Sequence, residues 1–255
     1  MASPRIAVLT VPSPQSWIII NALVKQFGPV TIVAEQRESK LALIRKRMRR
    51  LDAVTVMGQI GFVLFQKLLA RRSGPRIKAI VAEHGLDPEP NAACELLPVG
   101  SVNSMACRAA LAMLKPDVVL VIGTRIIGKQ TLASVAAPVI NFHSGINPKY
   151  RGQAGGYWAL ASDDPENAGV TVHLVDEGVD TGAVLYQTHF TATREDNFIT
   201  YFYIQAAVGL PVTIKAVEDA LSDRLRPVKV DLPSQQFYHP TLWFYLWTAW
   251  RKGVW

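Results

Sequence analysis

Residues 5–34 read RIAVLTVPSPQSWIIINALVKQFGPVTIVA. Arg5 to Val11 is a short apolar, β-branched run of the kind that forms a buried strand. Ser13-Pro14 then supplies a helix cap and a first-turn proline, Trp17 to Phe27 is a strongly apolar helix, and Gly28-Pro29 stops it. Val30 to Ala34 is a second strand. Strand, helix and strand in that order predict a parallel sheet. The fold expected is α/β: a Rossmann-like open, mostly parallel twisted sheet with helices on both faces, plus a small helical and aromatic C-terminal extension. The turn Val11-Pro12-Ser13-Pro14-Gln15-Ser16 has no glycine, so it is neither a dinucleotide fingerprint nor a phosphate-cradling loop.

Working outward, residues 39–72 read as two helices, the first basic and the second, Ile60 to Leu69, amphipathic. A short strand is expected around Ala79 to Ala82, and Glu83 to Pro98, with its three prolines, reads as a loop. Met105 to Leu114 is a helix, Lys115-Pro116-Asp117 a turn, and Val118 to Ile122 a central strand. Further strands are expected at 139–143, 169–174 and 182–190. Asn197 to Leu221 is a long apolar helix, interrupted at Gly209-Leu210-Pro211, where proline should kink it. The tail then turns aromatic, with Tyr238, Trp243, Phe244, Tyr245, Trp247, Trp250 and Trp255. Packing on its own domain or on a second subunit suits such a tail, and so does interfacial membrane contact aided by Arg251 and Lys252. The division expected is a catalytic domain over residues 1–190 and an extension over 191–255.

The reactive side chains concentrate in Val139 to Gly182. Asn141 and His143 alternate along one strand and so share a face at its end. A neutral imidazole accepts a proton, an imidazolium steadies an oxyanion, and an amide NH2 beside it donates to the same oxygen. That pairing suits acyl transfer, although Asn-x-His alone also suits a loop-capping histidine. Gly169 to Leu174 alternates like a half-buried strand and runs into a loop holding Asp176, Glu177 and Asp180. A carboxylate beside His143 would orient the imidazole and raise its pKa, and Asp180 is the acid chosen for that place.

Asn141-Phe142-His143, Pro148-Lys149-Tyr150-Arg151-Gly152, Trp158-Ala159, Gly169-Val170-Thr171-Val172-His173 and Asp180-Thr181-Gly182 together resemble the signature of the folate-dependent formyltransferases. The resemblance is clear over roughly residues 116–187 and looser in the first hundred positions. It implies a catalytic triad of Asn141, His143 and Asp180, with 10-formyltetrahydrofolate as formyl donor and co-substrate. Backbone groups around Arg125, Ile126 and Ile127 and in the loop of Asp176 and Gly178 would then line the pterin pocket. Lys149, Tyr150, Arg151 and Gln153 would face the acceptor, with Arg151 suited to a phosphate. Many relatives have an Ala-Pro step where Ala154-Gly155 stands, so the acceptor pocket departs from the common pattern.

Within that family the glycine-free first turn argues against glycinamide ribonucleotide as acceptor. Methionyl-tRNA formyltransferases add a C-terminal barrel, for which the seventy or so residues after the triad are too few. Formyltetrahydrofolate deformylases add an N-terminal regulatory domain. What remains resembles a sugar-nucleotide N-formyltransferase acting on a GDP- or dTDP-linked 4-amino-4,6-dideoxyhexose, GDP-perosamine preferred, for O-antigen and lipopolysaccharide synthesis. Two rivals stay open: a methionyl-tRNA-type or other amine formyltransferase, and a membrane-associated protein that binds folate or nucleotide without catalysis.

Composition sets the outer bounds. The 255 residues carry a formal net charge of +7, and residues 1–90 hold 14 Lys/Arg against 6 Asp/Glu. Arg45-Lys46-Arg47-Met48-Arg49-Arg50 is the densest run; it reads as a solvated face or as a patch for a phosphorylated substrate, RNA or an anionic membrane. The solvated face is the leading reading of that run; the partner expected for the protein is a nucleotide-linked amino sugar, with no nucleic acid and a homodimeric assembly, and peripheral membrane contact through the tail is the lesser alternative to its packing on protein. Cys94 and Cys107 lack metal-ligand spacing and read as core thiols, the histidines show no zinc-ligand spacing, and no metal is expected. No secretory leader and no membrane-spanning window stand out, so a cytoplasmic location is expected.

Overall fold

The computed structural model describes residues 3–49 and 51–255. Met1, Ala2 and Arg50, the last of them part of the expected basic run, lie outside the described residues. In chain order the elements are β1 (Ile6–Thr10), α1 (Pro14–Phe27), β2 (Thr31–Glu35), α2 (Lys40–Met48), α3 (Ala53–Arg72), α4 (Gly74–Glu83), β3 (Glu95–Val99), α5 (Met105–Leu114), β4 (Val118–Ile122) and α6 (Lys129–Leu132). Then follow β5 (Val139–His143), β6 (Arg151–Gly152), α7 (Gly155–Ala161), β7 (Gly169–Leu174), β8 (Val184–His189), α8 (Phe198–Leu221), β9 (Gln236–Phe237) and α9 (Leu242–Lys252).

Seven strands form one sheet in the order β3-β2-β1-β4-β5-β7-β8. The first five run parallel, while β7 is antiparallel to β5 and β8 antiparallel to β7. The α/β, Rossmann-like reading of the opening stretch therefore holds. β1 and β4 are buried along their whole length because helices cover both sides of the sheet. Ile6 and Val8 of β1 face a cluster with Trp17, Ile20 and Ala216, whereas Ala7 and Leu9 face another with Cys107 and Leu111. Each fully buried aliphatic side chain contributes about 1.5–3 kcal/mol to holding these layers together.

A third core lies beyond the sheet, where α3, α4, α7, α8 and α9 meet. Phe62 packs 4.9 Å from the rings of both Phe198 and Tyr245, and Tyr245 lies 5.7 Å from Tyr157. The aromatic tail thus docks on its own chain through α9 against α3.

Four local expectations need correction. Residues 79–82 are not a strand but the last part of helix α4, since Pro75 suits a helical first turn and Ile77, Ile80 and Val81 recur at helical spacing to join the third core. The loop expected over 83–98 ends in β3, which pairs parallel with β2; Pro98 disguised it, and proline is tolerated because β3 is an edge strand. Helix α3 extends well past Ile60–Leu69 to 20 residues, capped by Asp52, and is long and apolar enough by length and composition to cross a membrane. Helix α8 runs through Pro211 uninterrupted, held by its packing on the sheet and on α1.

Candidate functional site

β5 ends at His143, and its antiparallel neighbour β7 sets Asn141 opposite His173 and His143 opposite Thr171. Opposed residues share a face of the sheet, as do residues two apart. Asn141, His143 and His173 therefore project together. A register shift at Val172/His173 marks a bulge where β7 meets β8, beside this cluster.

The loop after β7 brings Asp180 into the same space. Its backbone adopts φ +51°, a left-handed conformation that aspartate tolerates and that functional loops often hold. Asp180 Oδ2 lies 3.5 Å from His143 Nδ1 and accepts a hydrogen bond of 2.9 Å from the Gly152 N–H. Its Oδ1 accepts from Asn141 Nδ2 at 3.2 Å and lies 3.5 Å from His173 Nε2. Asn141 Nδ2 also lies 3.0 Å from His173 Nε2. The three residues expected to converge do so, and His173 joins them.

Carbonyls and carboxylates both only accept, and the carbonyl contacts, at 2.9 and 2.7 Å, are shorter than the 3.5 Å approaches to Asp180, so they take the ring protons. His143 Nε2 donates to the Tyr150 carbonyl at 2.9 Å, which leaves Nδ1 with its lone pair towards Asp180. His173 Nδ1 donates to the Leu174 carbonyl at 2.7 Å, which leaves Nε2 to accept from Asn141. Both amide hydrogens of Asn141 are thus engaged inside the cluster. Donation to an oxyanion requires release of one, and the 3.2 Å bond to Asp180 is the longer. Close backbone contact makes the His143 bond available: a Cβ on Gly145 would collide with the Tyr150 carbonyl and with His143 Nε2.

Burial lowers the His143 pKa from its ordinary value, while the Asp180 charge and the Tyr150 carbonyl act in the opposite sense without overcoming it. The imidazole is therefore neutral at pH 7. For Asp180, burial pushes the carboxyl up, but His143, His173 and the Gly152 N–H together hold it at about 2. A fixed anion beside a neutral base is an arrangement for receiving a proton at Nδ1 and steadying the resulting cation.

The other expected residues are placed as follows. Arg125 directs its guanidinium to Glu35 and to the carbonyls of Gly100 and Gln36, joining the ends of β2 and β4. Ile126 is exposed and its carbonyl accepts from Asn103, while Ile127 is buried. Asp176 Oδ1 accepts from the Gly178 N–H and the Thr181 hydroxyl, so it shapes the acidic loop. Lys149 and the Tyr150 hydroxyl both bond Asp164. Arg151 donates to the Val179 carbonyl and to Ser234, tying the Asp180 loop to the segment before β9. Gln153 accepts from the His239 N–H. Their side chains thus brace loops around the triad.

A cavity of about 370 Å³ opens at the same edge of the sheet, and none of Asn141, His143, His173 and Asp180 lines it. It lies at the carboxyl ends of β1 and β4, where the strand order reverses, the usual ligand position in an open α/β sheet. Ser13, Gln15, Arg37, Gly123, Phe142 and Ser144 line it; Phe142 alternates to the face of β5 opposite Asn141 and His143, towards α8. Its size falls in the small-molecule range. Sequence reading saw Ser13 only as a helix cap and passed over Gln15 and Arg37; their place after a β-strand at the switch point was the available signal. The sequence gives His173 no role of its own, and only the pairing register shows that it faces Asn141. Among the described residues no group of His, Cys, Asp and Glu is gathered as for a metal ion.

Residues 67–202 match the family model described as Formyl transferase. A methionyl-tRNA formyltransferase of Anaeromyxobacter sp. (strain K) is 36% identical over 124 residues, which cover 48% of this chain and 39% of that protein. The chain spans less than half the length of such curated relatives. A sugar N-formyltransferase from a Shewanella species superposes with a TM-score of 0.57 at 14% identity, covering 92% of this chain and 77% of that one. The N-formyltransferase from Helicobacter canadensis, solved with folinic acid and dTDP-3-aminofucose, gives 0.53 at 14% identity over 93% of this chain and 71% of that one. At such identities the two superpositions establish a shared fold.

Proposed function

The chain belongs to the formyl transferase family, and from that premise we propose that it transfers a formyl group from 10-formyltetrahydrofolate to the amine of a nucleotide-linked aminodeoxy sugar. The observation that carries this reading is the convergence of Asn141, His143 and ionised Asp180 at the carboxyl end of β5. When bound, the folate supplies an activated formyl carbonyl. His143 Nδ1 takes the proton released as the acceptor nitrogen bonds the formyl carbon, and returns it to the folate nitrogen whose bond to that carbon breaks. Asp180, 3.5 Å away, balances the imidazolium meanwhile. Asn141 turns one amide hydrogen from Asp180 to the formyl oxygen as charge builds there.

The likeness to sugar N-formyltransferases supports the acceptor class. Within it GDP-perosamine is the preferred substrate, and the setting is O-antigen synthesis by a cytoplasmic homodimer in peripheral contact with the membrane. The assignment of residues 1–190 to catalysis and of 191–255 to an extension goes with this reading. A second reading, a methionyl-tRNA acceptor, is favoured by the curated relatives at up to 36% identity.

One assay separates them. Purified protein is mixed with 10-formyltetrahydrofolate and either amino-sugar nucleotides or methionyl-tRNA, and tetrahydrofolate release is followed. Release is expected with at least one sugar amine, and His143→Ala should lower it roughly a hundredfold or more. Turnover confined to tRNA or water would overturn the sugar assignment.

A further inference from the structure

The outer sides of α3 and α9 are apolar where a surface helix is normally polar. Along α3, Val54, Met57, Leu64 and Leu68 recur at helical spacing on the side turned away from buried Val56, Phe62 and Leu69, and Met57 is 62% exposed. Only 28% of the most apolar window of α3 is buried. Along α9, Trp243, Leu246, Trp247 and Trp250 recur in the same way opposite buried Tyr245 and Ala249, and Trp250 is 78% exposed. The two rows join. Trp243 lies across Gly58, where any Cβ would strike its ring, and Leu242 lies against Gly61.

Cations surround this apolar surface. Residues 40–72 contain nine Lys/Arg and one acid, Asp52, and α9 adds Arg251 and Lys252 with no acid. Arg45, Arg49, Lys67, Arg71, Arg72 and Arg251 are exposed. Among the described residues none of these six joins an ion pair. Arg251 stands 5.6 Å from the Trp250 ring, so cation and indole present themselves together.

We propose that the outer faces of α3 and α9 form one platform that docks on an anionic lipid surface, tryptophans and aliphatic side chains entering the headgroup boundary and the surrounding cations meeting lipid phosphates. Apolar side chains, interfacial tryptophans and flanking Lys/Arg on one face are the composition of helices that lie in a membrane interface. A second copy of the chain is the poorer occupant. A two-fold interface on this face would set one basic cluster against its own copy, and like charges brought together oppose association. The inference rests on the surface alone and needs neither the donor nor the acceptor proposed for the site.

The test is co-sedimentation of the full chain with vesicles of phosphatidylcholine, with and without phosphatidylglycerol, at low and high salt, in the absence of substrates. Binding should need phosphatidylglycerol and weaken as salt rises. Trp250→Glu should lower it roughly tenfold or more, and the double variant Met57→Glu, Leu64→Glu by a similar factor. All these side chains are largely outside the core, and circular dichroism verifies that each variant is folded. Equal sedimentation of wild type and variants, or none with either vesicle, would overturn the proposal. A loss confined to Trp250→Glu would reject the joint platform, and a dimer dissociated by Trp250→Glu without vesicle binding would assign the face to a second copy.

Discussion

Burial and Asp180 pull the His143 imidazole in opposite directions, and burial prevails. The base is then neutral at pH 7, so the acid limb of kcat/KM should lie under the ordinary imidazole value of about 6.5. Replacing Asp180 by Asn removes the influence that raises the His143 pKa. The acid limb should move to still lower pH while kcat falls, by about a hundredfold or more. A pH profile of tetrahydrofolate release reads both effects, and a limb that stays in place or moves up would show that Asp180 does not act on the imidazole. At this scale the sequence was informative where chemistry follows alternation along one strand, as with Asn141 and His143. It was silent on the Tyr150 carbonyl that selects the tautomer, because that contact depends on two glycine backbones, at Gly145 and Gly155, lying against each other.

The contact of α9 with α3 turns on Gly58. An alanine there gains helix propensity of about 1 kcal/mol but drives a methyl into Trp243 and Thr241, an overpacking that costs about 1–3 kcal/mol. Gly58→Ala should therefore lower stability by about 1 kcal/mol, read as a lower urea midpoint. A midpoint that rises would mean that α9 does not rest on α3 as described. Helix α4 and strand β3 are the elements hardest to read from sequence. Helix α4 was mistaken for a strand because its apolar run was short, and short apolar runs look alike in either period. β3 was missed because Pro98 argued against a strand until its edge position was known. β1, α1 and β2, by contrast, were legible because caps, stops and buried runs agreed.

For the molecule as a whole, His239 and His143 tie stability to pH. His239 packs beside Phe62 and Phe198, and burial, aided by Arg47, depresses its pKa from 6.5 to about 4. The unfolded chain binds that proton first, so the contribution is complete above pH 6.5 and is lost as pH falls towards 4, on the order of 3 kcal/mol in all. His143, shifted the same way, adds to the loss. His239→Gln should flatten the fall in denaturant midpoint over that window, and an unchanged slope would locate the acid sensitivity elsewhere. None of this was legible beforehand, since His239 stands in a proline-flanked stretch and becomes half-buried only because α9 folds back. That return has another result. Just ahead of α9, the Gln235 and Phe237 carbonyls accept from the Arg151 and Gln153 N–H groups, on either side of the Gly152 N–H that seats Asp180. The stretch ahead of α9 is therefore a splint on its own acid, and a tug on it from outside, whether from a cleaving protease or an adhering bilayer, arrives one residue away from the amide that holds the carboxylate.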